Sequence, residues 1–198
     1  MSAPPATETP NPRKGRRTTG AGRLPGDPSA RDMVARMIRV DQAGEYGAVR
    51  IYAGQLAVLG NTPSGEIIRR MAAKEQEHLS GFNRLVAERR VRPTLLEPLW
   101  HVAGFALGAA TAALGAGAAM ACTEAVEEVI DAHYAHQAEA LGDDEAELRD
   151  MIEDYRADEI AHRETALEHG AATAPGYELL TVAIKAGSRL AIWLSSRI

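Results

Sequence analysis

The sequence predicts an all-α protein with one folded domain. In several long segments the apolar residues recur every three or four positions, which is the period of an amphipathic helix. No segment alternates with period two as a half-buried strand would. The chain has 198 residues, of which 45% are hydrophobic and 25% are charged, so it can bury a sizeable core as one domain.

The first 30 residues differ in composition from the rest of the chain. They are rich in Pro, Gly, Thr and Arg and carry almost no large apolar side chains. Such a segment cannot bury enough surface to fold, so we expect a disordered basic tail over 1–30 and a folded domain over 31–198. The tail has no apolar core of a secretory signal. Its arginines are typical of a transit peptide, but its prolines disfavour the amphipathic helix that a transit peptide requires. Two interpretations of the tail therefore remain: a solvated tail, or a tail that contacts anionic lipid.

We expect five helices, separated by turn sequences rich in Gly, Pro and Asp. GNTPSG follows the first helix, Pro93 follows the second, GDD precedes the fourth and APG precedes the last. An Ala/Gly-rich apolar stretch after the 91–101 connection is expected to continue without a break into the third helix. The expected ranges are 31–59, 66–89, 102–141, 145–169 and 177–197.

The inward face of each of the first four helices is apolar but is interrupted by Glu, or by Glu and His one turn later. Glu45 precedes the second Glu by 30 residues, and Glu127 precedes the fourth by 32, so the pattern is duplicated within the chain. One Glu on a helix followed by Glu-x-x-His on the next, twice, is the ligand set of ferritin-like bundles with two metal ions. The six predicted ligands are Glu45, Glu75, His78, Glu127, Glu159 and His162.

Electrostatics favours a metal at these positions. Four carboxylates in a bundle core would each cost several kcal/mol in desolvation and would repel one another. Two divalent cations would neutralise them, with the histidines as neutral ligands. Oxygen and imidazole ligands suit two iron or two manganese ions better than a zinc thiolate site would, and ligand softness alone does not separate iron from manganese. The alternative is that these Glu and His residues form exposed pairs on solvated faces.

Several further residues were considered for the site. Asp158 is placed to accept a hydrogen bond from His78, or is a surface carboxylate. Tyr134 continues the face that carries Glu127, where it could serve hydrogen bonding, electron transfer or packing. The single cysteine, Cys122, is expected to be a small buried residue. The net charge of −5 gives no nucleic-acid signature. Three histidines are expected to be structural or exposed: His101, His136 and His169.

Two segments suggest contact with lipid. Residues 102–123 carry no ionisable group except the Cys122 thiol and are long enough to span a bilayer, but they are mostly Ala and Gly. We expect this segment to lie against the bilayer or to form an apolar groove beside the site; spanning and plain packing are the alternatives. Four glycines are expected to leave room there for a flat ring and its tail: Gly104, Gly108, Gly115 and Gly117.

The last helix is predicted to be an interfacial anchor, with docking onto the core as the alternative. Trp193 lies near its end. Its polar face is expected to carry Lys185, Ser188 and Arg189, and its apolar face Leu180, Ala183, Ile184, Leu190, Ala191 and Leu194.

Long stretches of the chain resemble the demethoxyubiquinone hydroxylase family of ubiquinone biosynthesis. The resemblance covers roughly 31–198 and includes RVDQAGEYGAVRIYAGQLAVLG, VRPTLLEPLWHVAGFALGAATAALG and MACTEAVEEVIDAHY. It implies a peripheral membrane enzyme that uses two iron ions and O2 to hydroxylate a polyprenyl benzoquinol. The family's ligand pattern falls on the same six residues, with Glu75 and Glu159 as the bridging carboxylates. Family members can also work with a lipid-binding companion protein.

The resemblance leaves some alternatives open. A quinol oxidase or ferroxidase of the same fold would use the same ligands, and a metal-free helical membrane adaptor would need none of them. The chain has no GxGxxG fingerprint of a dinucleotide-binding domain, so electrons would come from the quinol or from an external donor. We expect attachment to the cytoplasmic face of a bacterial inner membrane, or to the mitochondrial inner membrane if the tail is a transit peptide.

Overall fold

The computed structural model describes Leu24 and residues 26–198, and the prediction of an all-α fold is confirmed. Most of the predicted tail lies outside the described residues. The described residues form six α-helices and two short 3-10 helices, Asp143–Glu145 and Ala171–Thr173, with no strand. The α-helices are α1 (Ala30–Leu59), α2 (Pro63–Glu88), α3 (Glu97–Ala113), α4 (Ala116–Ala140), α5 (Ala146–Glu168) and α6 (Tyr177–Ser195).

Local sequence signals set several of these boundaries. Ser29 caps α1 through a capping box with Asp32, which satisfies otherwise unpaired amides of the first turn. Pro63 opens α2, where a missing backbone N–H costs nothing. Arg90 adopts φ 52° just after α2, a left-handed conformation that a helix cannot continue through.

Helices α1, α2, α4 and α5 form the four-helix bundle. The α1–α2 and α4–α5 hairpins are each closely packed, whereas the backbones of α1 and α4, and those of α2 and α5, lie further apart. Two apolar clusters lie at successive levels of the bundle, one around Ile38, Phe82 and Ile152, the other around Ile68 and Met120. The predicted site residues lie between these levels along each helix, so an apolar layer closes the site at both ends.

The apolar stretch 102–123 does not run unbroken into the third bundle helix, contrary to our expectation. The chain turns at Leu114 and Gly115 between α3 and α4, and Gly115 has φ 113°, which side-chain-bearing residues rarely adopt. The crossover is therefore a separate helix, α3, lying on α1. None of the helices in the described part of the chain combines the length and apolarity needed to cross a membrane.

Glycines bring α3 very close to α1. A Cβ at Gly108 would collide with the carbonyl oxygen of Ile51, and one at Gly54 would collide with that of Phe105. At Gly104 a Cβ would lie 2.9 Å from the Gly47 carbonyl oxygen. The backbones therefore touch directly, and the glycines fix α3 against the bundle more than they leave open space.

The predicted faces of the last helix were partly wrong. Helix α6 docks on α4 with Lys185 turned inward, where its Nζ lies 2.7 Å from Glu128 Oε2 and 3.6 Å from Glu124 Oε1. Ile184 is buried beside it, so polar and apolar side chains share the docked face. The outward face is largely apolar, and its exposed large residues are Leu179, Val182, Leu190 and Trp193.

Candidate metal centre

The six residues predicted as ligands converge in the middle of the bundle. Helices α1 and α4 each supply one Glu, and α2 and α5 each supply a Glu and a His. All six are buried. Their ligand atoms form two groups, each with all atoms within 4.8 Å of one another, and both groups include Glu75 and Glu159. The groups are Glu45–Glu75–His78–Glu159 and Glu75–Glu127–Glu159–His162.

The Nδ1 atoms of His78 and His162 face carboxylate oxygens of the predicted ligands. His78 Nδ1 lies 3.1 Å from Glu159 Oε1 and 3.7 Å from Glu45 Oε2. His162 Nδ1 lies 2.9 Å from Glu75 Oε1 and 3.5 Å from Glu159 Oε2. None of these six atoms has an aligned hydrogen-bond partner, and all are buried. Two divalent cations would satisfy such a buried group of carboxylate oxygens and ring nitrogens that lack aligned hydrogen-bond partners, so the residues fit such a centre.

The titration of the carboxyl groups supports the same conclusion. Burial, followed by the charge of Glu159, raises the pKa values of Glu75 and Glu127 well above the usual 4.5. Burial also raises the pKa of Glu45. Burial opposes ionisation of Glu159 too, but the neighbouring rings of His162 and His78 outweigh it and lower the pKa of Glu159 to about 2. The cluster therefore holds excess protons unless cations replace them.

Two buried tyrosines cross-link the helices that carry the single glutamates. Tyr134 of α4 donates its hydroxyl hydrogen to Glu45 Oε1 of α1. Tyr52 of α1 donates to Glu127 Oε1 of α4 over 2.9 Å. Tyr134 was among the residues predicted near the site and Tyr52 was not, although both tyrosines follow a predicted ligand on the same helix by seven residues. That repeated spacing was the available signal.

His78 is held by two residues of α5. Its Nε2 donates to Asp158 Oδ2 over 3.1 Å, which leaves the lone pair on Nδ1 directed at the carboxylates. The ring of Tyr155 stacks on the His78 ring with centroids 4.0 Å apart. Asp158 thus has the predicted contact. Tyr155 was not among the predicted site residues.

The remaining candidates lie away from the centre. His101, His136 and His169 are exposed, and His101 Nδ1 is 2.6 Å from the Tyr46 hydroxyl. Cys122 is buried, and burial raises the pKa of its thiol to about 12, so it stays a neutral thiol.

An apolar cavity of about 340 Å³ lies beside α1 and α4, the helices with the single glutamates. Ala48 and Val126, which line it, are close in sequence to Glu45 and Glu127. Its outer walls come from α3 and α6 and include Gly104. The expected groove was thus correct at Gly104 but wrong at Gly115, which lies in the α3–α4 turn; Gly108 and Gly117 do not line the cavity either.

Known proteins match this chain over most of its length. The model of the family described as ubiquinone biosynthesis protein COQ7 matches residues 32–195. A 3-demethoxyubiquinol 3-hydroxylase of Rhodospirillum rubrum is 57% identical over 92% of this chain and 86% of its own length. The human NADPH-dependent 3-demethoxyubiquinone 3-hydroxylase, a mitochondrial protein, is 50% identical over 93% of this chain and 88% of its own. The chain belongs to the COQ7 family of ubiquinone biosynthesis proteins.

Proposed function

We propose that the protein is an oxygen-dependent di-iron monooxygenase that hydroxylates the ring of a demethoxyubiquinol, 2-polyprenyl-3-methyl-6-methoxy-1,4-benzoquinol. Relatives that match nearly the whole chain are named as hydroxylases of this kind of substrate. The observation that carries the proposal is the joint presence of a buried carboxylate–histidine centre and an apolar cavity beside it.

The donor set suits two iron ions, which the six residues would hold; Glu75 and Glu159 belong to both groups of ligand atoms. Carboxylate oxygens and imidazole nitrogens bind iron and manganese alike. The relatives are named as hydroxylases, and we propose iron because non-haem iron with such ligands is typical of oxygenases. When bound, the iron ions supply the oxygen activation that no protein side chain provides. Ring hydroxylation consumes one O2, two electrons and two protons, with one oxygen atom entering the ring and the other leaving as water.

The protein's own residues hold this centre in position. Tyr52 and Tyr134 each fix one oxygen of a single glutamate, which leaves the second oxygen of that carboxylate for a cation. Asp158 keeps the proton of His78 on Nε2, so that Nδ1 remains a ligand. Burial of all six ligands limits entry of water, which would otherwise compete with substrate for activated oxygen.

We assign the apolar cavity to the quinol ring and the start of its polyprenyl tail. Its volume of about 340 Å³ falls in the range of small-molecule pockets, and its walls are almost entirely apolar. Small residues on α1 and α6, among them Gly44, Gly47 and Ala191, provide the space. The Trp100 Nε1–H bond to Ser195 Oγ, 3.1 Å long, joins α3 to α6 at the cavity wall.

The outer faces of α3 and α6 suit attachment to a membrane surface. Both helices border the cavity and present large apolar side chains to solvent. A lipid-soluble quinol could therefore pass from the bilayer into the cavity without crossing water. We propose peripheral attachment on this side, at the cytoplasmic face of a bacterial inner membrane. A lipid-binding companion protein would act at the same side.

Oxygen labelling tests the proposal. The iron-loaded protein is incubated with demethoxyubiquinol, ¹⁸O2 and an external reductant such as NADPH with a suitable mediator. The mass of the quinol product is then measured by mass spectrometry. We expect one labelled atom in the quinol product, and none when the label is in water instead. Oxygen consumption with unlabelled, unhydroxylated product would identify a quinol oxidase, and oxidation of added ferrous iron alone would identify a ferroxidase.

A further inference from the structure

The polar contacts between α1 and α4 repeat about an approximate two-fold axis, which relates Glu45 to Glu127. Tyr52 and Tyr134 each lie seven residues after one of these glutamates and bond to the other. Gln55 and Gln137 follow the same glutamates by ten residues. Each of these glutamines donates its amide hydrogen to the residue four positions before the opposite glutamate.

The symmetry fails at one pair of positions. Gln55 bonds to the Thr123 hydroxyl at 3.3 Å, a neutral contact. At the equivalent position Gln137 Nε2 donates to the carboxylate of Asp41 at 2.8 Å, and His133 Nε2 lies 3.2 Å from the same oxygen and 2.9 Å from Gln137 Nε2. The residue equivalent to His133 on the other side is Ile51. A Thr and an Ile thus fill the positions in one half that Asp41 and His133 fill in the other, so packing alone does not require two ionisable groups.

Asp41 and His133 lie between solvent and the half of the centre that contains Glu45. The His133 side chain is 24% exposed, while that of Asp41 is fully buried. Asp41 lies one helical turn before Glu45, and its second oxygen has no hydrogen-bond partner. Burial, the strongest effect, raises the pKa of Asp41, although His133 and Gln137 oppose it.

We propose that Asp41 and His133 form a proton-entry pair that passes protons from solvent towards Tyr134 and Glu45. The inference rests on the proposed hydroxylation, whose two protons must enter a buried centre. A proton taken up by His133 moves to Asp41, and His133 is reprotonated from solvent. Other titratable groups near the pair are Tyr134 of α4 and Glu45 of α1, with Gln137 as a neutral donor. Asp41 and His133 act through these residues and do not touch substrate.

Substitution of Asp41 tests the pair. Asp41→Asn keeps the shape and an acceptor for Gln137, and Asp41→Thr copies the neutral arrangement of the other half. Thr123→Val, at the equivalent position, is the matched control. All three are expected to retain native helicity and iron content. We expect hydroxylation to slow about tenfold or more in both Asp41 variants, the scale of a lost acid–base group, and to stay within about twofold of native in the control.

A second measurement does not depend on turnover. The iron-loaded proteins are reduced without oxygen or quinol by reduced methyl viologen, whose oxidation releases no proton, and proton uptake is followed with an indicator dye. We expect slower uptake in Asp41→Asn and in Asp41→Ala, and recovery by formate in Asp41→Ala only, because that variant leaves space for a small acid. Uptake and hydroxylation at native rates in Asp41→Asn, or loss of its iron, would overturn the proposal. Failure of the native protein to hydroxylate would instead refute the proposed function, whatever its proton uptake.

Discussion

At the scale of single residues, protons and cations would compete for the same buried carboxylate oxygens of the centre. The pKa values of Glu45, Glu75 and Glu127 are raised first of all by burial. Each of these groups therefore holds a proton at a pH where an exposed carboxyl group would have lost it. A bound cation must displace those protons, so its affinity increases as pH rises. The carboxyl groups are stable together only as protonated groups or as metal ligands.

Glu127→Gln tests this balance. The amide keeps the side chain's shape and an acceptor for the Tyr52 hydroxyl but removes the charge that binds a cation. We expect iron content to fall below one ion per site and hydroxylation to be lost. Because the folded-state pKa of Glu127 is raised, its contribution to metal-free stability is present below the usual 4.5 and is lost as pH rises through the folded value.

The metal-free variant should therefore become more stable than metal-free native protein as pH rises towards neutral. Thermal unfolding of both proteins at several pH values, together with an iron assay, measures the two effects. Glu139→Gln, an exposed change on the same helix, is the control and should leave both unchanged. Full iron content and activity in Glu127→Gln would remove Glu127 from the proposed centre.

The six central residues could be predicted because their spacing reports a helical face directly. Glu75 and His78 share one turn, and the pattern recurs at Glu159. The cross-links through Tyr52 and Asp41 could not be assigned in this way, because each partner lies on another helix, 75 and 92 residues away for Glu127 and His133. Which of two facing helices supplies the contact depends on the register between hairpins, and composition does not encode that register.

At the scale of helices, the prediction made from periodicity was wrong for the Ala/Gly-rich segment. Alanine favours helix throughout, and glycine is tolerated in helices at modest cost, so residues 102–141 read as one helix. The break depends on one backbone angle at Gly115. The faces of helix α6 were predicted wrongly for a related reason, since the helix has apolar side chains on both faces. Only its docking on α4 shows that Lys185 faces inward.

The cavity between α1, α3, α4 and α6 yields a prediction at this scale. A Cβ at Gly44 would meet nothing within 4 Å, so Gly44→Leu can be built without disturbing α1 and its side chain would enter the cavity. We expect hydroxylation to fall at least tenfold, about the effect of losing more than 1.4 kcal/mol of transition-state binding, while iron content is retained.

Ala57→Leu, an exposed change on the same helix, is the matched control. Steady-state kinetics with quinols of different tail length separates blocked binding from a damaged centre. If the cavity holds the substrate, the apparent KM for the quinol should rise more in Gly44→Leu than in Ala57→Leu. Native kinetics in Gly44→Leu would mean that the quinol binds elsewhere, even if the metal centre stands.

At the scale of the whole molecule, apolar surface is concentrated on one side. Helices α3 and α6 both pack on the outside of the bundle and both turn large apolar residues to solvent, including Leu99 and Val102 on α3. Each also contributes a wall of the cavity. The side that would meet lipid is therefore the side from which the cavity is built, and the six predicted ligands lie behind it, on the four bundle helices.

Membrane attachment through this side is the last prediction. Leu179, Leu190 and Trp193 are 78%, 56% and 50% exposed on α6 and do not line the cavity, so replacing them with Ser should leave the centre intact. Each large apolar side chain that is buried in lipid contributes about 1.5–3 kcal/mol, so the triple variant should bind vesicles far more weakly. The control replaces Val58 and Leu167, which are 45% and 43% exposed on α1 and α5. Flotation with lipid vesicles measures binding, and hydroxylation of a short-tailed soluble quinol shows whether the centre still works. We expect the triple variant to lose flotation and turnover of the long-tailed quinol but to keep turnover of the short-tailed one. Equal flotation of native and triple-variant protein would place the membrane contact on another surface.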